Sequence, residues 1–437
     1  MNYQLSKNFY DVSKIPNEWN KTKLKYILSF SENNSLNFND EKTLSLTKNG
    51  IVVKDITTNQ GQIAESYEKY ILIKKGQICM NPMDLLSGWV DISNFEGLIS
   101  PAYYTFLLNK EFDNKFINYF LQSNYLRKTF FKLGKGVASH DNFGRWVLTP
   151  DELKNIIIFT PKIKQQKIIS QYLDKKTKQI KTLIKKVHLK IELLKEELKS
   201  LINQSVTGSA DLNVEMKESG IKSIGLIPKH WKIVRLAVLG EFSKGKNITK
   251  SDLVENGEPV ILYSHLYTKY NRIPNKIDFF ISDAKFIESS KIIKNTFLFT
   301  SSGETVEEIG KTILYKGERE IAVGGDLVIF QLNDHNQYDE EFLSFAFNSK
   351  FCQDQKSSNS RGDIVVHIYK KQLREVKVCI PPIDEQSKIA LSLSLKEKNI
   401  HKLITKYKEK IIFLNEYEKS IISSVVMGMF QPPEEVL

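Results

Sequence analysis

Residues 161–208 read PKIKQQKIISQYLDKKTKQIKTLIKKVHLKIELLKEELKSLINQSVTG, and residues 381–428 read PPIDEQSKIALSLSLKEKNIHKLITKYKEKIIFLNEYEKSIISSVVMG. At an offset of 220 the two segments align without a gap. Leu173 matches Leu393, Lys176 matches Lys396, Leu183-Ile184 match Leu403-Ile404, Lys199-Ser200 match Lys419-Ser420, and Gly208 matches Gly428. Further upstream, Ile15-Pro16-Asn17-Glu18-Trp19 returns as Ile227-Pro228-Lys229-His230-Trp231, at an offset of 212. The chain is written twice, and a repeat on this scale means one structural unit used two times.

Each half ends in a long helix. Ile180, Ile184, Val187, Ile191, Leu194, Leu198 and Leu201 step alternately by four and three, which is a heptad seam. The second half places Ile400, Ile404, Tyr407, Ile411, Leu414, Glu418 and Ile421 at the same positions, with Glu418 the one departure. Such a helix must cover its apolar seam, and the matching seam is its own repeat. The spacing predicts an antiparallel coiled coil of the two helices. About 30 helical residues at ~1.5 Å each would span ~45 Å, enough to hold two domains about one DNA turn (~34 Å) apart. Nine lysines between Lys175 and Lys199 make the first helix basic. They form either a solvated face or a contact with phosphates or an acidic surface.

The segments before the helices read as α+β. Gly50–Val53, Tyr70–Ile73, Asn155–Phe159 and Asp326–Phe330 are short apolar runs punctuated by Gly, Asn and Asp, as strands are. Residues 114–131 and 339–354 each read as one amphipathic helix. The expected organisation is two pseudo-repeated domains, 1–160 and 227–380, separated by helices 161–208 and 381–430, with a linker at 209–226 and a tail at 431–437.

A formal charge of +12 suits a polyanionic partner. Cys79, Cys352 and Cys379 form no CxxC pair, so no zinc site is expected and a reducing compartment is. The first 25 residues lack an apolar signal core, and no run approaches the ~18 apolar residues of a spanning helix. The reading is cytoplasmic, with no membrane partner.

Catalytic motifs fall short. Asn81-Pro82-Met83-Asp84 lacks the second proline and the aromatic residue that grip a flipped adenine. Gly240–Lys246 matches GxxxxGK, but Asn247 stands where Ser or Thr would hold magnesium. Glu304, Glu307, Glu308 and Lys311 lack the Glu-x-Lys spacing of a nuclease. No catalytic or metal residue is assigned.

The loops do carry groups that read bases. Lys135, Ser139, His140, Asn142 and Arg145 are taken as one loop of the first domain, and Ser358, Asn359, Ser360, Arg361, Asp363 and His367 as its counterpart. Arg and Lys fit guanine, Asn fits adenine, and Ser and His reach bases or phosphates. On these features alone the chain is a DNA reader in a larger complex, a free-standing bipartite DNA-binding regulator, or a nuclease in its own right.

The stretches Tyr172–Thr177 and Ser205–Gly208, followed by Glu215–Ile221 and then Gly225–Trp231, resemble the specificity subunits of type I restriction–modification enzymes. So do Pro381-Pro382-Ile383-Asp384-Glu385-Gln386, the segments 81–104, 240–253 and 301–326, and Gly362–Ile368. The first-half copy of the Pro-Pro entry departs, with Lys162 for proline and Gln165 for glutamate. The resemblance covers nearly the whole chain. It implies two target recognition domains that each read half of a split site in double-stranded DNA, adding Asn81, Ser301, Ser302 and Lys311 to the contact candidates. It implies no catalysis in this chain. Two methyltransferase subunits would dock on the paired helices, the coiled-coil and partner-docking elements marked by Ile180, Ile184, Ile191, Leu194, Ile400, Ile404, Ile411 and Leu414. Restriction/translocase subunits would join, and S-adenosylmethionine, ATP and Mg would lie in the partners.

Overall fold

A computed structural model of the chain describes residues 15–31, 42–47, 50–54, 67, 69–83, 90–137, 145–209, 214–246, 248–274, 276–303, 305–362 and 366–433. The chain divides into two units, one of residues 1–187 with 408–437, the other of residues 188–407. Each unit therefore holds one end of each long helix, Ile163–Thr207 and Ile383–Val426.

In the first unit, Leu28–Phe30, Tyr104–Leu108, Ile78–Met80 and Val90–Ile92 form an antiparallel four-stranded sheet in that order. In the second, Gly240–Lys244, Leu327–Leu332, Thr296–Thr300 and Thr312–Tyr315 form the corresponding sheet, again antiparallel throughout. Asn20–Lys23 pairs with Ile157–Thr160, and Lys232–Arg235 pairs with Lys377–Ile380. The repeat legible at the helices thus runs through the strands as well. The second unit adds a five-stranded sheet with one parallel pair, Val260 opposite Ala322.

Each seam is covered inside its own unit. Ile169, Tyr172 and Leu173 at the start of the first helix share a core with Ile422, Val425 and Val426 at the end of the second. In the other unit, Val206 at the end of the first helix shares a core with Ala390 and Leu393 near the start of the second. Start meets end in both, so the pairing is antiparallel. Ile180, Val187, Ile191, Leu198, Ile400, Ile404 and Leu414 are buried, and Ile184, Leu194, Tyr407, Ile411, Glu418 and Ile421 are half-buried. Even Glu418 obeys the pattern; its burial raises its pKa, opposed by Lys181 and Lys419.

Both helices stop at a left-handed glycine, Gly208 (φ 74°) and Gly428 (φ 71°), as a helix C-terminus favours. A Cβ on Gly208 would lie 2.3 Å from Pro228 Cδ and 3.2 Å from the Trp231 ring. One on Gly428 would lie 2.4 Å from Pro16 Cδ and 3.1 Å from the Trp19 ring. The repeated Ile-Pro-x-x-Trp motif is therefore a seat for a helix end. Helix starts are fixed by glutamine: Gln166 Oε1 accepts from Asp113 N and Gln386 Oε1 from Asp339 N, both at 2.9 Å. Their Nε2 groups donate to Pro161 O and Pro381 O.

Two sequence expectations change. Residues 114–131 and 339–354 are not single helices but pairs, Asn114–Leu121 with Asn124–Leu133, and Glu340–Asn348 with Lys350–Asn359. A serine breaks each. Ser123 Oγ accepts from Leu126 N, and Ser349 Oγ from Cys352 N. A buried serine satisfies one of the free amides of a new helix start, and competes there with helix continuation. Within the segment read as linker, Met216–Glu218 pairs with Leu226–Pro228.

The seam carries a direct test. Ile191→Ala should cost about 2–5 kcal/mol, and lysine at both Ile191 and Leu194 should abolish pairing of the helices. Denaturant unfolding reads both, and midpoints equal to wild type would contradict the buried seam.

Candidate nucleic-acid interface

Three candidates come together in the second unit: Ser302, Arg361 and His367. Ser302–Gly303 pairs with Val366–His367, which puts Ser302 Oγ 3.1 Å from His367 Nδ1. Arg361 and His367 exchange two backbone hydrogen bonds, Arg361 N to His367 O at 2.9 Å and His367 N to Arg361 O at 2.8 Å. Gly362 follows at φ 117°, a conformation that side chains other than glycine rarely adopt. The exposed Arg361 side chain and the half-buried His367 ring thus stand on neighbouring backbone positions at one edge. The His367 ring stacks on exposed Tyr369, centroids 6.1 Å apart and 14° between planes. A cation beside a stacked aromatic pair is equipped for bases and phosphates alike.

Other candidates are engaged within the fold. Ser301 is buried and donates through Oγ to Asp326 O at 2.8 Å. Ser360 Oγ donates to Ser357 O at 2.6 Å. Lys311 is half-buried, and burial lowers its pKa against the pull of Glu308. Asn81 is buried in the first unit and its Oδ1 accepts from Met83 N at 3.0 Å, closing a turn.

Neither set is one simple loop. Lys135 and Arg145 lie on paired strands, Lys135–Val137 and Arg145–Val147, with Lys135 opposite Val147 and Val137 opposite Arg145. Ser139, His140 and Asn142 between them lie outside the described residues, as does Asp363 in the second unit. Ser358 and Asn359 belong to the helix Lys350–Asn359. The strands around Gly136 and His367 are only two or three residues long, too short for a period to mark them.

Several residues at this edge escaped sequence reading. Tyr267 OH lies 2.7 Å from Thr300 Oγ1 and 3.1 Å from Ser302 O, tying a neighbouring helix to the Ser302 strand. His265 on the same helix is buried, its ring stacked on Phe279 and its Nδ1 accepting from Leu262 N at 3.2 Å. Burial, with Lys250 and Lys269 nearby, pushes the His265 pKa down to about 4. Only the tyrosine and histidine types signalled these positions.

Residues 228–412 match the family described as the type I restriction modification DNA specificity domain. The chain is 23% identical over 381 residues to the MjaVIII type I restriction enzyme specificity subunit of Methanocaldococcus jannaschii, covering 82% of each. By this match and this relative, the chain resembles type I restriction–modification specificity subunits. A putative MjaX specificity subunit of the same organism is 26% identical over 227 residues, covering 49% of this chain and 50% of that one. Two solved structures share the fold. A chain of a type I system described for its complex assembly and conformational transition aligns with TM-score 0.65 at 15% identity, covering 95% of this chain and 99% of that one. The HsdS subunit of Thermoanaerobacter tengcongensis aligns with TM-score 0.50 at 13% identity, covering 95% and 98%. The α+β fold with two long helices is thus shared with these two chains.

Two outcomes follow for this chain. Arg361→Ala should relax base preference in one half-site only, and Arg145→Ala in the other; a uniform loss of affinity across sequences would instead mark a phosphate contact. His265 also makes a pH test. Its folded pKa lies below its unfolded value of 6.5, so the unfolded chain takes up the proton first and stability falls as pH drops from about 6.5 towards 4. His265→Phe should flatten the melting temperature over that window, and an unchanged acid slope would contradict a buried neutral imidazole.

Proposed function

We propose that this chain is the non-catalytic recognition subunit of a type I restriction–modification complex. Residues 1–160 and 227–380 each read one half of a split sequence in double-stranded DNA. The observation that carries the reading is structural repetition: the same four-strand order, the same glutamine-held helix start and the same glycine–tryptophan seat occur in both halves. Two like readers on one chain suit a site of two halves. Arg145, Arg361 and His367 contact bases or phosphates, and the Lys175–Lys199 face supplies sequence-independent attraction.

The paired helices set the spacing between the half-sites and carry two methyltransferase subunits. Pseudo-twofold repetition offers two similar docking surfaces, as two copies of one partner require. Both helices keep apolar residues exposed outside the seam, among them Leu183, Leu193, Leu403 and Phe413. Leu183 and Leu403 are equivalent in the repeat, as are Leu193 and Phe413. S-adenosylmethionine, ATP and Mg belong to the partner subunits, the restriction/translocase subunits among them, and the complex works in the cytoplasm. Among the described residues no helix is long and apolar enough to cross a membrane, and no group of three or more His, Cys, Asp or Glu could hold a metal ion.

Single-molecule methylome sequencing of a clean host tests the reading. Expression of this chain with its neighbouring methyltransferase should create one split methylation motif, absent when either gene is missing. An unchanged methylome, with the same methyltransferase active beside another specificity subunit, would favour a free-standing regulator.

A further inference from the structure

Beside the Ser302–His367 pair, residues 306–310 form a turn outside any strand or helix. Side chains from elsewhere hold its carbonyls. Ser357 Oγ donates to Val306 O at 2.6 Å, Gln353 Nε2 to Ile309 O at 2.7 Å, and Lys356 Nζ to Gly310 O at 2.6 Å. All three donors come from one helix, Lys350–Asn359. Tyr267 OH, 3.3 Å from Glu308 O and 3.1 Å from Ser302 O, shares its proton between this segment and the Ser302 strand. Gly310 sits at φ 71°, and a Cβ there would lie 2.8 Å from Lys356 Cδ.

Lys356 is the unexpected member. It is 0% exposed, and its ammonium donates to Gly310 O and, at 3.0 Å, to Phe347 O. Burying an ammonium is costly, more than an ordinary surface turn requires. The result is a segment whose backbone is anchored from beneath while the side chains of Thr305, Val306, Glu307 and Glu308 stay exposed. It packs directly on the candidate edge: a Cβ on Gly303 would lie 3.0 Å from Tyr267 OH and 3.4 Å from Ile309 Cδ1.

A loop that orders only on binding loses affinity to that ordering, and it adapts to wrong partners as readily as to right ones. A loop fixed beforehand avoids the first loss and cannot make the second accommodation. We propose that Gln353, Lys356 and Ser357, with Tyr267, are positioning residues that preset Val306–Gly310 beside Ser302 and His367, and that this preset segment discriminates base pairs in the second half-site. The inference rests on the reading of residues 227–380 as a DNA reader.

The test uses the full chain in complex with its methyltransferase subunits. Methylation rates are compared on duplexes carrying the cognate site or one changed base pair in either half. Lys356→Met keeps length and apolar packing but removes the donor; Gln353→Leu and Ser357→Ala each remove one anchor with less disturbance of the core. The complex should assemble, the ratio of cognate to mismatched rates should fall about tenfold in the second half-site, and the first half-site should keep its ratio. Wild-type ratios in both halves beside a lowered melting temperature would overturn the proposal and leave the anchors purely structural. Equal losses in both halves would also overturn it. Should Lys356→Met fail to fold, the Gln353 and Ser357 variants decide by the same ratios. A wild-type complex with no split motif would sink the reader assignment itself, whereas a wild-type motif with indifferent variants would sink the loop inference alone.

Discussion

The apolar seam of a long helix, left alone, would hold a row of isoleucines and leucines in water. Each such side chain gains roughly 1.5–3 kcal/mol on burial, so the helices of this chain exist as helices because each covers the other. In both units the start of one helix meets the end of the other. Antiparallel pairing makes each core a joint product of distant sequence: residues near Ile169 need residues near Val425, and Val206 needs Leu393. Neither half of the chain can complete its core from its own residues alone.

That dependence explains what the short motifs are for. A glycine at the end of each helix has no Cβ because Pro16 and Trp19, or Pro228 and Trp231, occupy the space. A glutamine near each helix start joins the helix to the amide of the residue that caps a shorter helix, Asp113 or Asp339. The halves are not equally furnished. Glu385 accepts from Trp231 Nε1 at 3.0 Å and lies 2.8 Å from His230 Nε2, but the equivalent position in the first half is Gln165. There Trp19 Nε1 is buried with no hydrogen-bond partner among the described residues. The degenerate Pro-Pro entry of the first half is thus visible as one orphaned donor, while packing of Trp19 against Phe116 and the Gly428 turn retains the seat.

The candidate edge follows a different physical rule. Its groups are placed by short backbone ladders, such as Ser302–Gly303 on Val366–His367, with Val366 and Ile368 on either side of His367 buried in the core. Side-chain donors do the work that a sheet or helix would do elsewhere.

The sequence by itself determined the large design. The two matched heptads, the paired Ile-Pro-x-x-Trp motifs and the terminal glycines predict a duplicated α+β chain with antiparallel helices, since periodicity and repetition report burial directly. Candidate readers such as Arg361 and His367 were legible by residue type. Tertiary structure alone decided the serine breaks at Ser123 and Ser349, because a serine caps a helix only where its oxygen meets a free amide. It alone separated Ser301, spent on Asp326 O, from Arg361, exposed at the edge. It alone brought Lys356 under Gly310, 46 residues away. Local pattern encodes which faces are buried, but hydrogen bonds between distant segments carry no period and become visible only when the chain is folded.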